Sequence, residues 1–267
     1  MFESIKEKIK DFKKIVFVTG AGISQESGIP TFRGKDGLWR NHDAMKLATI
    51  DAFYEDPKLV WEWYNERRSN IFSASPNQGH LAISELEKYA NVTILTQNID
   101  GLHQKAGSSQ VLELHGSIVK IKCTVCEFHD EIMTEFSDIP PLCKCGNILR
   151  PDVVWFGESL PQDIWQKAMI LSSQCDLMVV VGTSLVVSPA NTLPIYAKQN
   201  NATLIEINPE KTEMSSEMDL VLRSTSANRL PEFVSLFKKW NYDCENMPLI
   251  FESVESPALN TDDVTVP

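Results

Sequence analysis

The sequence predicts an α/β fold: a Rossmann-like parallel sheet with helices on both faces, plus a small lobe built from a helical insertion and a zinc-binding insertion. Three observations predict it. Short β-rich apolar runs, IVFVTGAGIS, VTILTQNID, DLMVVVGTS and ATLIEIN, alternate with segments of helical character such as HLAISELEKYA. Each run closes on polar turn residues (GAGIS, QNID, GTS, NPE), and in parallel sheets covered on both faces ligands bind outside the carboxyl ends of the strands. Two stretches interrupt the alternation, 38–75 and 119–150, and are placed as insertions beside the sheet.

At 267 residues with 43% hydrophobic content, the chain can bury a full core, and one large domain with insertions fits better than two equal ones. The Rossmann-like domain is assigned to 1–37, 76–118 and 151–245. The helical insertion takes 38–75, the zinc-binding insertion 119–150, and an acidic tail expected to be disordered takes 246–267. The opening residues MFESIKEKIKDFKK lack the apolar stretch and cleavage site of a secretory signal. No run reaches the roughly 18 apolar residues of a membrane span, so a cytoplasmic protein without a membrane partner is expected. The net charge of -11 argues against sequence-specific nucleic-acid binding through a basic surface. Residues 201–267 carry twelve acids against five bases, which concentrates the negative charge near the polar, non-periodic end ESVESPALNTDDVTVP.

After the first strand, Gly20-Ala21-Gly22 offers a backbone that can approach an anion closely, followed by free helical amides. An ordinary tight turn is the alternative, because the third glycine of a dinucleotide fingerprint is Gln25 here. The continuation SGIPTFRGKDGLW is polar, glycine-rich and too long for a simple connector. The region 38–75 takes its apolar mass from Trp39, Phe53, Trp61, Trp63 and Phe72. Within it, Arg67 finds Trp63, Tyr64, Asn70 and Ile71 at helical spacing and no acid, so a carboxylate from outside its own helix could meet the Tyr64–Arg67 face. A structural ion pair with a neighbouring segment is the other reading.

QNIDGLH ends the next strand with groups suited to a carboxamide and ribose hydroxyls, although Asp100 could equally cap a helix. His115 in LELHGS precedes a glycine at what reads as a strand end; a lone histidine is more often structural than catalytic. Cys123 and Cys126 are followed, sixteen residues later, by Cys143 and Cys145, a four-thiolate set matching a closed structural zinc site. The second pair has one intervening residue where zinc ribbons have two. Disulfides compete, but paired cysteines in a cytosolic chain favour metal. His129 reads as a surface residue, and Cys175 and Cys244 as buried packing residues.

Taken in order, GAGISQESGIPTFRG, TQNIDGLHQKAG, LELHGS, the cysteine pairs, RPDVVWFGE, VVGTSLVVSPA and IEINPE resemble the sirtuins, the NAD-dependent protein lysine deacylases, from about residue 7 to about residue 240. The resemblance implies NAD in a cleft between the lobes, one structural zinc, and acylated lysine proteins as partners. It implies NAD contacts at Gly20, Ala21, Gly22, Ser24, Thr31, Phe32, Arg33 and Trp39; at Gln97, Asn98, Ile99 and Asp100; and at Gly182, Thr183, Ser184, Asn208, Pro209, Glu210 and Ala227. Asp100 would hold the nicotinamide carboxamide, and His115 falls on the catalytic histidine, a general base. Val154, Trp155, Phe156 and Gly157 match the acyl-lysine channel, where a substrate peptide adds as a strand.

The resemblance also implies a bacterial desuccinylase and deacetylase branch. There a Tyr-x-x-Arg pair binds the acyl carboxylate, which Tyr64 and Arg67 match, and a small residue widens the acyl pocket, which Ala48 matches. Removal of succinyl, malonyl and acetyl groups is expected, giving nicotinamide, 2'-O-acyl-ADP-ribose and free lysine. The alternatives are a plain deacetylase, an NAD-dependent protein ADP-ribosyltransferase, and a non-enzymatic NAD or ADP-ribose binding module.

Overall fold

The computed structural model describes residues 2–31 and 46–241. Strand β1 (Lys14–Thr19) is KIVFVT, buried at every position after the first, as a strand covered from both faces must be. It pairs on one side with β2 (Asn91–Thr96), which pairs with β3 (Val111–Glu113). Strands β4 to β6 form a separate sheet. On the other side of β1 lie β7 (Leu177–Val181), β8 (Thr203–Ile207) and β9 (Leu220–Leu222), giving the order β3-β2-β1-β7-β8-β9 with every pairing parallel.

Period-two alternation along β1 divides the core. Ile15 and Phe17 join the cluster that includes α1 (Lys6–Ile9), α4 (Gln78–Leu86) and α8 (Ser226–Asn241), through Ile9, Ile83 and Leu86, and Leu230, Phe233 and Phe237. Val16 and Val18 face the opposite way, toward α6 (Gln162–Gln174) and α7 (Leu193–Gln199), through Ala168, Leu193 and Ala197.

The second sheet is antiparallel, in the order β5-β4-β6, from β4 (Gly116–Cys123), β5 (His129–Glu131) and β6 (Leu149–Val153). It extends beyond 119–150 at both ends, because 116–118 and 151–153 continue the same two strands. Against it lie α2 (Ile50–Glu55) and α3 (Pro57–Ser73). Helix α3 starts where Asp56 accepts the Leu59 N–H at 3.0 Å with Pro57 in the first turn, a capped start with a preset φ.

One face of α3 is a fastening. Trp61 Nε1 donates to Leu149 O at 2.8 Å, Asn65 exchanges hydrogen bonds with the Phe136 backbone at 2.7 and 3.1 Å, and Arg68 donates to the carbonyls of Ile118, Ile132 and Thr134. Positions 61, 65 and 68 share a helix face, which leaves Tyr64 and Arg67 on the adjoining one. Arg68 is fully buried, and desolvation, opposed by the charge of Glu135, draws its pKa down to about 10, so the guanidinium stays charged.

Behind the carboxyl ends of β1 and β2 runs a buried polar seam. Thr19 donates to Thr96 at 2.9 Å, and His103, on α5 (Leu102–Lys105), bonds Thr19 at 3.1 Å. His80 accepts the Asn77 N–H on Nδ1 at 3.3 Å, so its Nε2 carries the proton facing Ser24 Oγ, 3.4 Å away. The two imidazoles meet edge to face at 4.9 Å and are almost inaccessible. Burial pushes the His80 pKa down to about 4, and burial followed by the charge of His80 holds His103 well below its ordinary value.

Both histidines are therefore neutral in the fold, while an unfolded chain protonates them near 6.5. Because the unfolded state binds more protons, their contribution is complete above pH 6.5 and is lost as pH falls toward 4, by on the order of 3 kcal/mol for His80. Urea unfolding at a series of pH values should show that slope, and His80→Gln should flatten it. An unchanged slope in the variant would mean that His80 titrates normally in the folded chain.

Candidate active-site cleft and metal centre

Four thiols converge at the tip of the small sheet. Cys123 closes β4, Cys126 lies in the turn after it, and Cys143 and Cys145 lie in the turn before β6; all four Sγ atoms are within 4.8 Å of one another. The Cys123–Cys145 and Cys126–Cys143 separations are 3.5 and 3.6 Å, far beyond a disulfide's roughly 2.05 Å. They lie close to the roughly 3.8 Å edge of a tetrahedron with metal–sulfur bonds of about 2.3 Å, so the donor set fits zinc. Val125 N and Cys126 N donate to Cys123 Sγ at 3.4 and 3.5 Å, and Asn147 Nδ2 donates to Cys145 Sγ at 3.4 Å, contacts that favour thiolates. The short Cys-x-Cys spacing is accommodated because Gly146, at φ +87°, returns its N–H to Cys143 O. His129 is exposed and faces Asp152 at 3.7 Å, outside the cluster. Cys175 is buried, and Cys244 lies outside the described residues.

The residues at the carboxyl ends of the central strands are tied to one another. Gly20 N donates to Val181 O and Gly22 N to Gly182 O, at 3.1 and 2.8 Å. A Cβ on Gly22 would lie 2.7 Å from the Gly182 carbonyl oxygen, and one on Gly20 would lie 2.7 Å from Thr183 Cβ, so both positions exclude side chains. Gln97 Nε2 donates to Thr183 Oγ1 at 2.9 Å and Asn208 Nδ2 to Thr183 O at 3.3 Å. Asn98 is buried and donates to Gly20 O at 3.1 Å and Ser24 Oγ at 3.2 Å. Ala21, Ile99, Ser184 and Thr31 are half-buried, and Pro209 and Glu210 are exposed beyond β8. The Ala227 N–H, at the start of α8, donates to Glu26. Phe32, Arg33 and Trp39 lie outside the described residues.

Asp100 accepts hydrogen bonds on both carboxylate oxygens. Its Oδ1 accepts the N–H of Leu102, the first residue of α5, at 2.9 Å, while Oδ2 accepts Ser24 Oγ–H at 2.8 Å. Desolvation raises its pKa, opposed by those two donors and, more weakly, by Arg67. His115 sits between β3 and β4, at the junction of the two sheets. Its Nδ1 is 3.0 Å from Gln97 O; a carbonyl only accepts, so Nδ1 carries the proton and the neutral ring keeps its basic lone pair on Nε2. Burial lowers the His115 pKa, with the Gln97 contact opposing it, so the neutral form dominates at pH 7.

Across from this knot, Phe156 N donates to Ala48 O at 2.9 Å and Val154 N to His115 O at 2.9 Å, which places the 154–157 stretch between the helical insertion and His115. Trp155 is buried, Phe156 and Gly157 are exposed and Val154 is half-buried. Tyr64, 2% exposed, accepts the Trp155 Nε1–H at 2.8 Å. The half-buried Arg67 guanidinium stacks 4.7 Å from the Trp63 ring and 5.8 Å from the Tyr64 ring. Burial raises the Tyr64 pKa, keeping the phenol neutral; burial lowers that of Arg67, while Tyr64 and then Asp100 raise it. His80, His103, Arg68 and Arg150 were not singled out by sequence reasoning. His80 alone had a local signal, three residues after the capping Asn77.

The Sir2 family description matches residues 20–189. The NAD-dependent protein deacylase 1 of Caldanaerobacter subterraneus is 52% identical over 82% of this chain and 92% of its own length. The NAD-dependent protein deacylase of Aquifex aeolicus is 51% identical over 81% and 92%. Among solved structures, a Sir2 homolog–NAD complex superposes with a TM-score of 0.84 at 44% identity, covering 90% of this chain and 94% of that one. A Sir2–p53 peptide–NAD+ complex does so with a TM-score of 0.80 at 33% identity, over 88% and 98%. The fold, the ordered motifs at its strand ends and these relatives agree: the chain belongs to the Sir2 family.

Proposed function

We propose that the chain is an NAD-dependent protein lysine deacylase acting on succinyl and malonyl as well as acetyl lysine, and releasing nicotinamide, 2'-O-acyl-ADP-ribose and free lysine. The observation that carries the catalytic reading is His115: a neutral imidazole pinned through Nδ1 to Gln97 O, its basic Nε2 available at the carboxyl end of the sheet. Bound NAD would supply the ribose carbon that the acyl oxygen attacks as nicotinamide leaves and the hydroxyl that takes the acyl group, and one water is consumed as the lysine amine is released.

His115 takes the proton of that hydroxyl on Nε2, as a general base with a depressed pKa can at neutral pH. Asp100 holds the carboxamide N–H groups on the lone pairs left by Leu102 and Ser24. The turn from Gly20 to Ser24 is assigned to the phosphates, with Thr31, Phe32, Arg33 and Trp39 assigned to the same ligand. Gln97, Asn98 and Ile99 line the nicotinamide side, and Gly182, Thr183, Ser184, Asn208, Pro209, Glu210 and Ala227 the adenosine side. Val154, Trp155, Phe156, Gly157 and Ala48 form the acyl-lysine channel. Cys123, Cys126, Cys143 and Cys145 hold one zinc that closes the small lobe and activates no water, since four thiolates leave no open position.

For the acidic acyl chain, the supporting observation is a neutral buried phenol beside a stacked guanidinium. A partly desolvated carboxylate between them gains on the order of 2–5 kcal/mol over an acetyl group. The acetyl group still fits, because a pocket sized for a longer chain does not exclude a shorter one.

Steady-state deacylation of matched peptides should show a succinyl-to-acetyl ratio of kcat/KM that Arg67→Met lowers by about 30-fold or more. A ratio insensitive to Arg67 would make the pair structural and the enzyme a plain deacetylase. His115→Ala should lower turnover by roughly 10²- to 10⁴-fold. Wild-type kcat/KM should fall with acid through an apparent pKa below 6.5, because protonated His115 is inactive as a base; activity unaffected by either change would remove His115 from the mechanism. Metal analysis should find about one zinc per chain. Chelation should lower the melting temperature and change the near-UV signal of Trp61 and Trp155, which pack against the cysteine-bearing sheet; a chelator-indifferent melt would exclude a structural metal.

A further inference from the structure

We propose that Trp155 is a positioning residue for acyl selectivity: its indole N–H fixes the Tyr64 phenol so that the Tyr64 O–H is the donor presented to an acidic acyl group. This rests on the reading of Tyr64 and Arg67 as a carboxylate site. The contact is Trp155 Nε1 to Tyr64 Oη, 2.8 Å, between two side chains each 2% exposed. An indole nitrogen only donates, so the phenol oxygen is the acceptor and its own proton must point elsewhere. Among the described residues, no acceptor within hydrogen-bond distance takes that proton. A buried donor without an acceptor is unfavourable, and a ligand carboxylate is the group that would satisfy it.

Trp155 is itself immobilised from two directions. Arg150 lies with its guanidinium carbon 3.5 Å from the centroid of the Trp155 ring, 8% exposed, and binds Glu158 bidentately at 2.6 and 2.9 Å. Glu158 Oε2 also accepts the Trp155 backbone N–H at 2.8 Å. Phe53 packs against the indole with ring centroids 5.1 Å apart. The backbone and ring of Trp155 are thus fixed by one ion pair, and the direction of the indole N–H with them. Holding the phenol in its ligand-ready orientation before binding removes an ordering cost that would otherwise fall on the acidic substrate.

A plain packing role predicts equal losses for every acyl chain, whereas a positioning role acts through one hydroxyl. The experiment is a double-mutant cycle on the succinyl-to-acetyl ratio of kcat/KM, using wild type, Trp155→Phe, Tyr64→Phe, the double variant and Arg67→Met. Trp155→Phe should lower the ratio about three- to tenfold, the worth of one hydrogen bond, mainly through KM for the succinyl peptide, and should lower it no further in the Tyr64→Phe background. Equal losses for both peptides, or the same loss without the Tyr64 hydroxyl, would overturn the proposal. Failure of Arg67→Met to change the ratio would remove the carboxylate site itself; an Arg67 effect without a Trp155 effect would remove only the role of Trp155. Should Trp155→Phe not fold, the Trp155 indole N–H resonance in folded wild type and Tyr64→Phe gives the second readout. It should shift on loss of the Tyr64 hydroxyl and shift more with succinyl than with acetyl peptide; a resonance indifferent to both overturns the proposal.

Discussion

No side chain fits where the turns after β1 and β7 meet, and the site depends on that contact. Gly22 donates to the Gly182 carbonyl at 2.8 Å, and a methyl group on Gly22 would lie 2.7 Å from that oxygen. Because the two backbones touch, Thr183 comes within reach of Gln97 and Asn208, and Gly20 within reach of Asn98. The glycines therefore form a tight structural contact in which the Gly20 and Gly22 amides are spent on the Val181 and Gly182 carbonyls.

The second constraint is the attachment of the small lobe. Helix α3 crosses from the antiparallel sheet to the cleft, and its adjacent arginines divide the work by face. Arg68 is buried against carbonyls of the sheet, while Arg67 lies a step around the helix beside Tyr64. Burying a guanidinium is costly unless its donors are met; the carbonyls of Ile118, Ile132 and Thr134 take the two terminal nitrogens of Arg68, while its Nε–H stays unpartnered. With the four cysteines drawing the far end of the same sheet together, the lobe has fastenings at both ends.

Electrostatics in the cleft follow from desolvation more than from charge pairing. Burial keeps His80, His103 and His115 neutral, raises Asp100, and keeps Tyr64 protonated. A site without fixed cationic imidazoles can use His115 as a base at neutral pH, and Arg67 remains a cation beside a neutral phenol.

The sequence by itself determined the parallel sheet, the polar strand ends and the four-cysteine set. Unbroken apolar runs such as LMVVV and close cysteine pairs are local patterns whose physics needs no distant partner. It also carried the Tyr64 and Arg67 spacing and the position of His115. Only the tertiary structure decided that Asp100 accepts from both the Leu102 N–H and Ser24, that Arg68 and not Arg67 fastens the lobe, and that Trp155 donates to Tyr64 across 91 residues. Those outcomes depend on which distant backbone carbonyls, hydroxyls and rings meet a side chain. Such meetings are set by how the helix packs on the sheet and leave no periodic trace along the chain.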